Sequence, residues 1–253
     1  MTKHPLPNRS KSHVSAAVWL ALCLSAPMAH GQVSCNSDGL APPKAIFERF
    51  INADYEACWG DPATPVPAAG TLALDWIVPG TQGDDAALSA AATQDALARL
   101  TEFSKAPQKT QSNHLVNVSG WPGATLRVAH GPAVSGYLGA SIELTLPAGT
   151  RIDAPVQPWL VMVETLPPGF ESSPMARNLI RNVLQPIWNM RESLQTSEQI
   201  NFIEIRPMNI PQGADPNRLR VVGWLQDASG RTLMAAESAC PPEEKEEPGA
   251  EHR

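Results

Sequence analysis

Three cysteines mark out the part of this chain that can fold, and their positions restrict the fold more than any other feature. The first thirty-one residues, MTKHPLPNRSKSHVSAAVWLALCLSAPMAHG, run from basic Lys3, Arg9 and Lys11 through an apolar stretch, Ala16 to Leu24, to the small residues around Ala29 and Gly31. That is the three-part pattern of a secretory signal peptide, and its apolar run is too short to span a bilayer. Residues 1–31 are expected to leave by cleavage before Gln32, taking Cys23 with them, so that Cys35, Cys58 and Cys240 remain. Exported thiols tend to pair, and three allow one bridge with one left over. Cys35 with Cys240 is the preferred pair, because it ties both ends of the folded part to its body and closes a loop worth about 5 kcal/mol in the chain-entropy model. Cys35 with Cys58, which would strand Cys240 beside the tail, stays open as the rival. The expected location is periplasmic or secreted, with no membrane insertion after cleavage.

The leader carries three basic residues and no acidic one, so its removal takes the formal net charge from −6 to about −9. Such an acidic chain is a poor partner for nucleic acid or an anionic membrane surface. Residues 241–253, PPEEKEEPGAEHR, are proline- and charge-rich without an apolar anchor, and are expected to form a disordered acidic tail. Residues 32–240 are long enough for a domain with a real core.

Ala45–Asn52 (AIFERFIN) and Thr71–Val78 (TLALDWIV) have the composition of strands. Between them Pro62, Pro65 and Pro67 forbid a regular helix of any length. Asp84 to Phe103 predicts a helix, acidic in its first turn and apolar at Leu88, Ala91, Ala92, Ala96, Leu100 and Phe103. After a polar loop, Thr125–Ala129, Ser141–Leu146 and Trp159–Thr165 predict strands separated by Gly/Pro turns. A second helix is expected from Ser173 as N-cap and Pro174 at its first position, with Met175, Leu179, Ile180, Val183 and Leu184 on one face. Asn201–Arg206 is strand-like, and Arg218–Asp227 and Arg231–Ala239 flank Ala228-Ser229-Gly230 as a hairpin. The order predicts an α/β fold, a mixed sheet flanked by helices, with an added β-rich region around residues 120–165.

The stretch IFERFINADYEACW, Ile46 to Trp59, resembles the start of a secreted, uncharacterised thioredoxin-like family whose members open with an LVELYTSEGCSSCPPAD-type sequence. In ungapped register Cys58 falls on the second cysteine of the family's Cys-x-x-Cys, Tyr55 on the first, and Glu48 on a strand glutamate. TLALDWIV is similar to the family's second strand, ARNLIRNVLQPI to its late helix, and VVGWLQDASGRTLMAAESAC to a closing hairpin that ends in cysteine. The resemblance implies a single thioredoxin-like domain over 32–240 whose redox motif is degenerate. Tyr55 stands where the attacking thiol belongs, and the prolines after Cys58 remove the helix whose dipole would stabilise a thiolate. His130-Gly131-Pro132 is the candidate for the loop proline that faces the motif.

The function expected is a non-catalytic binding or interaction module, its partner an envelope protein or peptide docking near Tyr55, Glu56, Cys58 and Trp59. Asp75, at the end of a predicted strand where α/β sheets place ligands, joins them as a candidate binding residue, as do His130 and Pro132. The alternative is a monothiol thiol–disulfide exchange protein using Cys58 alone, and a Cys58–His130 pair has no support in the spacing. No His/Cys cluster has metal-ligand spacing and no cofactor motif is present, so neither a metal nor a cofactor is expected. Trp59, Trp121, Trp159, Trp188 and Trp224 occur singly, as packing residues do.

Overall fold

The computed structural model describes residues 34–103, 109–150, 152, 155–188 and 199–241; the expected signal peptide and nearly all of the expected acidic tail lie outside the described residues. The first half holds β1 (Cys35–Asn36), β2 (Ala45–Asn52), the four-residue helix α1 (Glu56–Trp59), β3 (Thr71–Val78), α2 (Gln94–Glu102) and β4 (Gln111–Asn117). Then come β5 (Thr125–Val134), β6 (Tyr137–Leu146), β7 (Val156–Leu166), β8 (Arg177–Leu184), β9 (Ile200–Asn209), β10 (Leu219–Asp227) and β11 (Thr232–Glu237). They form a seven-stranded sheet, β11-β10-β7-β8-β3-β2-β4, and a four-stranded sheet, β1-β5-β6-β9.

This corrects the expected α/β, thioredoxin-like fold of a mixed sheet flanked by helices: the protein is mainly β. Among the described residues α2, nine residues long, is the only helix of more than four. The strands expected around 120–165 do not stay together, since β5 and β6 enter the smaller sheet and β7 the larger one.

Two predicted helices account for the difference. Only the end of Asp84–Phe103 is α-helical, because backbone donors of the stretch before it are used by the sheet. Leu88 N–H bonds Ala53 O and Thr93 N–H bonds Ile77 O, at 3.0 and 3.1 Å. The helix starts where the Thr93 hydroxyl accepts from Ala96 N–H. The other predicted helix is β8, antiparallel to β7 and bridged to β3. Ser173 caps no helix there; its hydroxyl accepts from Arg177 Nε and donates to Met175 O.

The wide sheet buries both faces, as strands do in the middle of a layered fold. On β7, Trp159, Val161 and Val163 join Phe50, Trp76, Val222 and Trp224 in a core that also takes Ala96 and Leu100 of α2. Leu160 and Met162, on the other face, meet Val128 and Ile142 of the small sheet. Gly223 sits at that contact, where an added Cβ would come within 2.6 Å of a Val128 methyl and 2.9 Å of Ile142. Trp76, Trp159 and Trp224 are fully buried, each worth roughly 4–6 kcal/mol of area burial before entropy is counted. The sheet curls around this core: Ser119, just past β4, donates its N–H to Thr232 O of β11 at 3.0 Å, joining opposite edges.

Candidate functional site

The predicted docking turn, Tyr55 to Trp59, forms a single helical turn. Tyr55 stands 41% exposed at its N-terminus, Glu56 is exposed and Trp59 is buried. Cys58, a free thiol, is partly buried against the apolar cluster that holds Ile51, Ile77 and Leu179. Burial pushes its pKa up, the nearby Asp61 carboxylate adds to the rise, and a hydrogen bond with Thr110 only partly opposes it. A helix of four residues supplies little dipole to oppose that rise.

Asp75 lies in the interior. Its carboxylate takes a two-pronged ion pair from Arg49, Nε to Oδ1 at 2.7 Å and the second nitrogen to Oδ2 at 2.8 Å. Arg177 donates to Oδ1 at 3.2 Å and Asn178 N–H to Oδ2 at 3.0 Å. Arg177 also donates to Trp59 O at 2.6 Å and lies 4.9 Å over the Trp59 ring. All three charged groups are at most 1% exposed, so two cations share one anion. Burial lowers the Arg177 pKa, Asp75 opposes the fall, and Arg49 adds to it. Every oxygen of Asp75 is thus occupied by the clamp that ties β2, β3, β8 and α1 together, which is structural chemistry.

His130 and Pro132 lie elsewhere, on β5 of the small sheet. Pro132 occupies a bulge between His130 and Ala133 where the ladder with β6 shifts register. His130 stands opposite Cys35, and Cys35 is bridged to Cys240 as the preferred pairing expects. Burial lowers the His130 pKa, partly opposed by its bond to Gly131 O. The structure therefore brings Asp75 to Trp59 through Arg177, and leaves His130 facing the bridge instead of Cys58.

A second buried charge cluster was not singled out from sequence. Glu48 of β2, fully buried, accepts from Arg99 of α2 at 3.0 and 2.8 Å and from Trp76 Nε1 at 3.1 Å. Arg99 bonds Gln226 and Glu102, both at 2.8 Å, and its guanidinium lies within 4.5–5.3 Å of the Phe103, Trp159 and Trp224 rings. Burial works against its charge, but Glu48 and Glu102 more than offset this and raise its pKa. Above it opens a cleft of about 450 Å³ at the mouth of the curled sheet, lined by Glu102, Phe103, His114, Gln226 and Arg231 among others. The signal was present in AIFERFIN, where Glu48 and Arg49 interrupt an apolar strand. Charges placed so need buried partners.

Comparison with known proteins finds no family model, no curated protein and no solved structure that matches this chain. No helix among the described residues is long and apolar enough to cross a membrane. The Cys35–Cys240 bridge is the kind that an oxidising, extracytoplasmic environment maintains.

Proposed function

We propose that the protein is an exported, non-catalytic binding protein that receives an extended peptide, by its carboxylate, at the mouth of the seven-stranded sheet. The signal-peptide pattern at 1–31 and the terminal bridge support export to the periplasm or beyond. The raised pKa of the half-buried Cys58 thiol tells against the rival reading, single-thiol exchange.

The observation that carries the proposal is the cleft above Arg99. The mouth of a curled sheet is a common ligand position. Arg99 is fixed from below by Glu48 and Gln226, yet one of its nitrogens is held by Glu102, whose side chain is 46% exposed. An incoming carboxylate can take the place of Glu102, with Arg231 beside it on the rim. Alongside runs β4, paired with β2 in the sheet and, among the described residues, with no further strand beyond it. Its Leu115 is 59% exposed, so the strand offers backbone groups and an apolar contact for strand addition.

Calorimetric titration with peptide pools, identical except for a free or amidated C-terminus, tests this. A charge-assisted bond is worth about 1.5–3 kcal/mol, so amidation should weaken binding by about 10- to 100-fold, and Arg231→Ala should weaken only the free-acid peptides. Equal binding of both pools would remove the carboxylate from the reading, and no binding of either would overturn it.

A further inference from the structure

Cys35, His130 and Cys240 meet at one corner of the small sheet. Cys35 is paired across the ladder with His130, and reciprocal hydrogen bonds of 3.0 and 2.9 Å between Asn36 and Ala239 bring Cys240 to the same place. A ring nitrogen of His130 and the two sulfurs all lie within 4.8 Å of one another.

His130 is more than a disulfide needs. It is 5% exposed, and its Nε2 has no hydrogen-bond partner. The Gly131 carbonyl, 2.9 Å from Nδ1, can only accept, so Nδ1 carries the proton and Nε2 holds a buried lone pair. An orphaned buried acceptor is costly and calls for a reason. A ring anchored through Nδ1–H to a backbone carbonyl, with Nε2 unprotonated, is the arrangement found in metal-ligating histidines.

We propose that Cys35, His130 and Cys240 form a Zn²⁺ site in the dithiol state of the protein, and that the disulfide is the closed, metal-free state of the same corner. Two thiolates and a neutral imidazole neutralise the ion's charge, which suits a largely buried position. Cys240 is exposed, which gives the ion a path in and leaves the fourth tetrahedral position to water. Opening the bridge takes two electrons and two protons from an external dithiol, which itself becomes a disulfide. Binding then releases the two thiol protons. Re-closure by an external disulfide expels the ion and returns both electrons to that disulfide.

The test uses the full mature protein, purified with its bridge closed, reduced with a phosphine and desalted without oxygen. Co²⁺ is followed by its thiolate charge-transfer absorption, and Zn²⁺ by competition with a chromophoric chelator. One equivalent should bind to the reduced protein and none to the oxidised one. His130→Ala, shown by near-ultraviolet circular dichroism to be folded while oxidised, should bind more weakly after reduction by more than the roughly 10–100-fold that loss of an outer-shell partner costs. Cys58→Ser should bind as wild type does. Saturating Zn²⁺ should also raise the thermal midpoint of the reduced protein alone. Equal affinity in His130→Ala, loss of binding in Cys58→Ser, or a reduced-state midpoint that Zn²⁺ does not move would each overturn the proposal.

Discussion

Cys58 and His130 are both titratable groups whose surroundings favour the neutral form, and each therefore yields a pH-dependent observable. For Cys58, burial against the apolar cluster that holds Ile77 and Leu179 and the negative field of Asp61 act in the same direction. Its alkylation by iodoacetamide should reach half-maximal rate at a pH above that of an unperturbed thiol, about 8.5. A half-maximum below neutrality would restore the exchange chemistry that the geometry disfavours. For His130, the folded pKa is depressed from the usual 6.5 by burial, so between the two values the unfolded chain holds the extra proton. Its contribution to stability is complete above about pH 6.5 and falls as the pH drops below that, by at most about 1.4 kcal/mol per pH unit for one proton. Urea unfolding of the oxidised protein at pH 7.5 and pH 5.0 should show a larger loss in wild type than in His130→Gln. Parallel losses in the two proteins would place the pH dependence on other groups.

At the scale of the elements, the Asp75 clamp makes an asymmetric prediction. Asp75→Ala leaves the Arg49 and Arg177 guanidinium groups buried without an anion and should destabilise by about 3–5 kcal/mol. Arg177→Met leaves the two-pronged Arg49–Asp75 pair intact and removes the surplus cation, so despite the lost bonds to Trp59 O and Ser173 it should cost clearly less. Denaturant midpoints decide this, and equal losses would mean that the clamp works through shape and not charge. The elements also show what the sequence made legible. Ala45–Asn52 and Thr71–Val78 form strands at their expected limits, because β-branched and aromatic runs between breakers leave one reading. Arg177–Leu184 was misleading for a physical reason: β8 is central, and Leu179 and Ile180 are buried on opposite faces. Adjacent apolar residues of that kind imitate a helical stripe. Gln111–Asn117 has the composition of a polar loop because an edge strand has no need of alternation when its residues are mostly half-exposed. The charged clamps were half legible, in Glu48 and Arg49, but their partners lie 26 and 51 residues away. Of the His130 corner, the Cys35–Cys240 pair was legible as the preferred bridge, but the approach of His130 was not, since no local spacing joins it to either cysteine.

For the whole molecule, the same bridge decides how the two ends are held. β1 is two residues long and pairs with β5 at only Cys35↔His130 and Asn36↔Ala129, so its own ladder cannot keep it in place. The bridge closes a separation of 205 residues, a loop that in the chain-entropy model destabilises the unfolded ensemble by about 5 kcal/mol. For a folded part of this length that corresponds to about 10–20 °C in thermal midpoint. Cys35→Ser should lower the midpoint by that amount and steepen the denaturant dependence, because an uncrosslinked unfolded chain exposes more surface. The competing possibility is local. If the bridge only clasps β1, its loss would speed hydrogen exchange at the Ser37 and Ala239 amides, which bond to Val128 O and Asn36 O, with the global midpoint unmoved. The architecture favours the first outcome. The C-terminal end of the bridge follows directly on β11, an outer strand of the large sheet whose Thr232 takes the bond from Ser119 that joins the sheet's opposite edges. Its N-terminal end adjoins β5, whose Val128 packs against Gly223 between the sheets. A constraint placed between those two points acts on the contact that the whole core shares, so both sheets should melt together, earlier and in one transition, when it is cut.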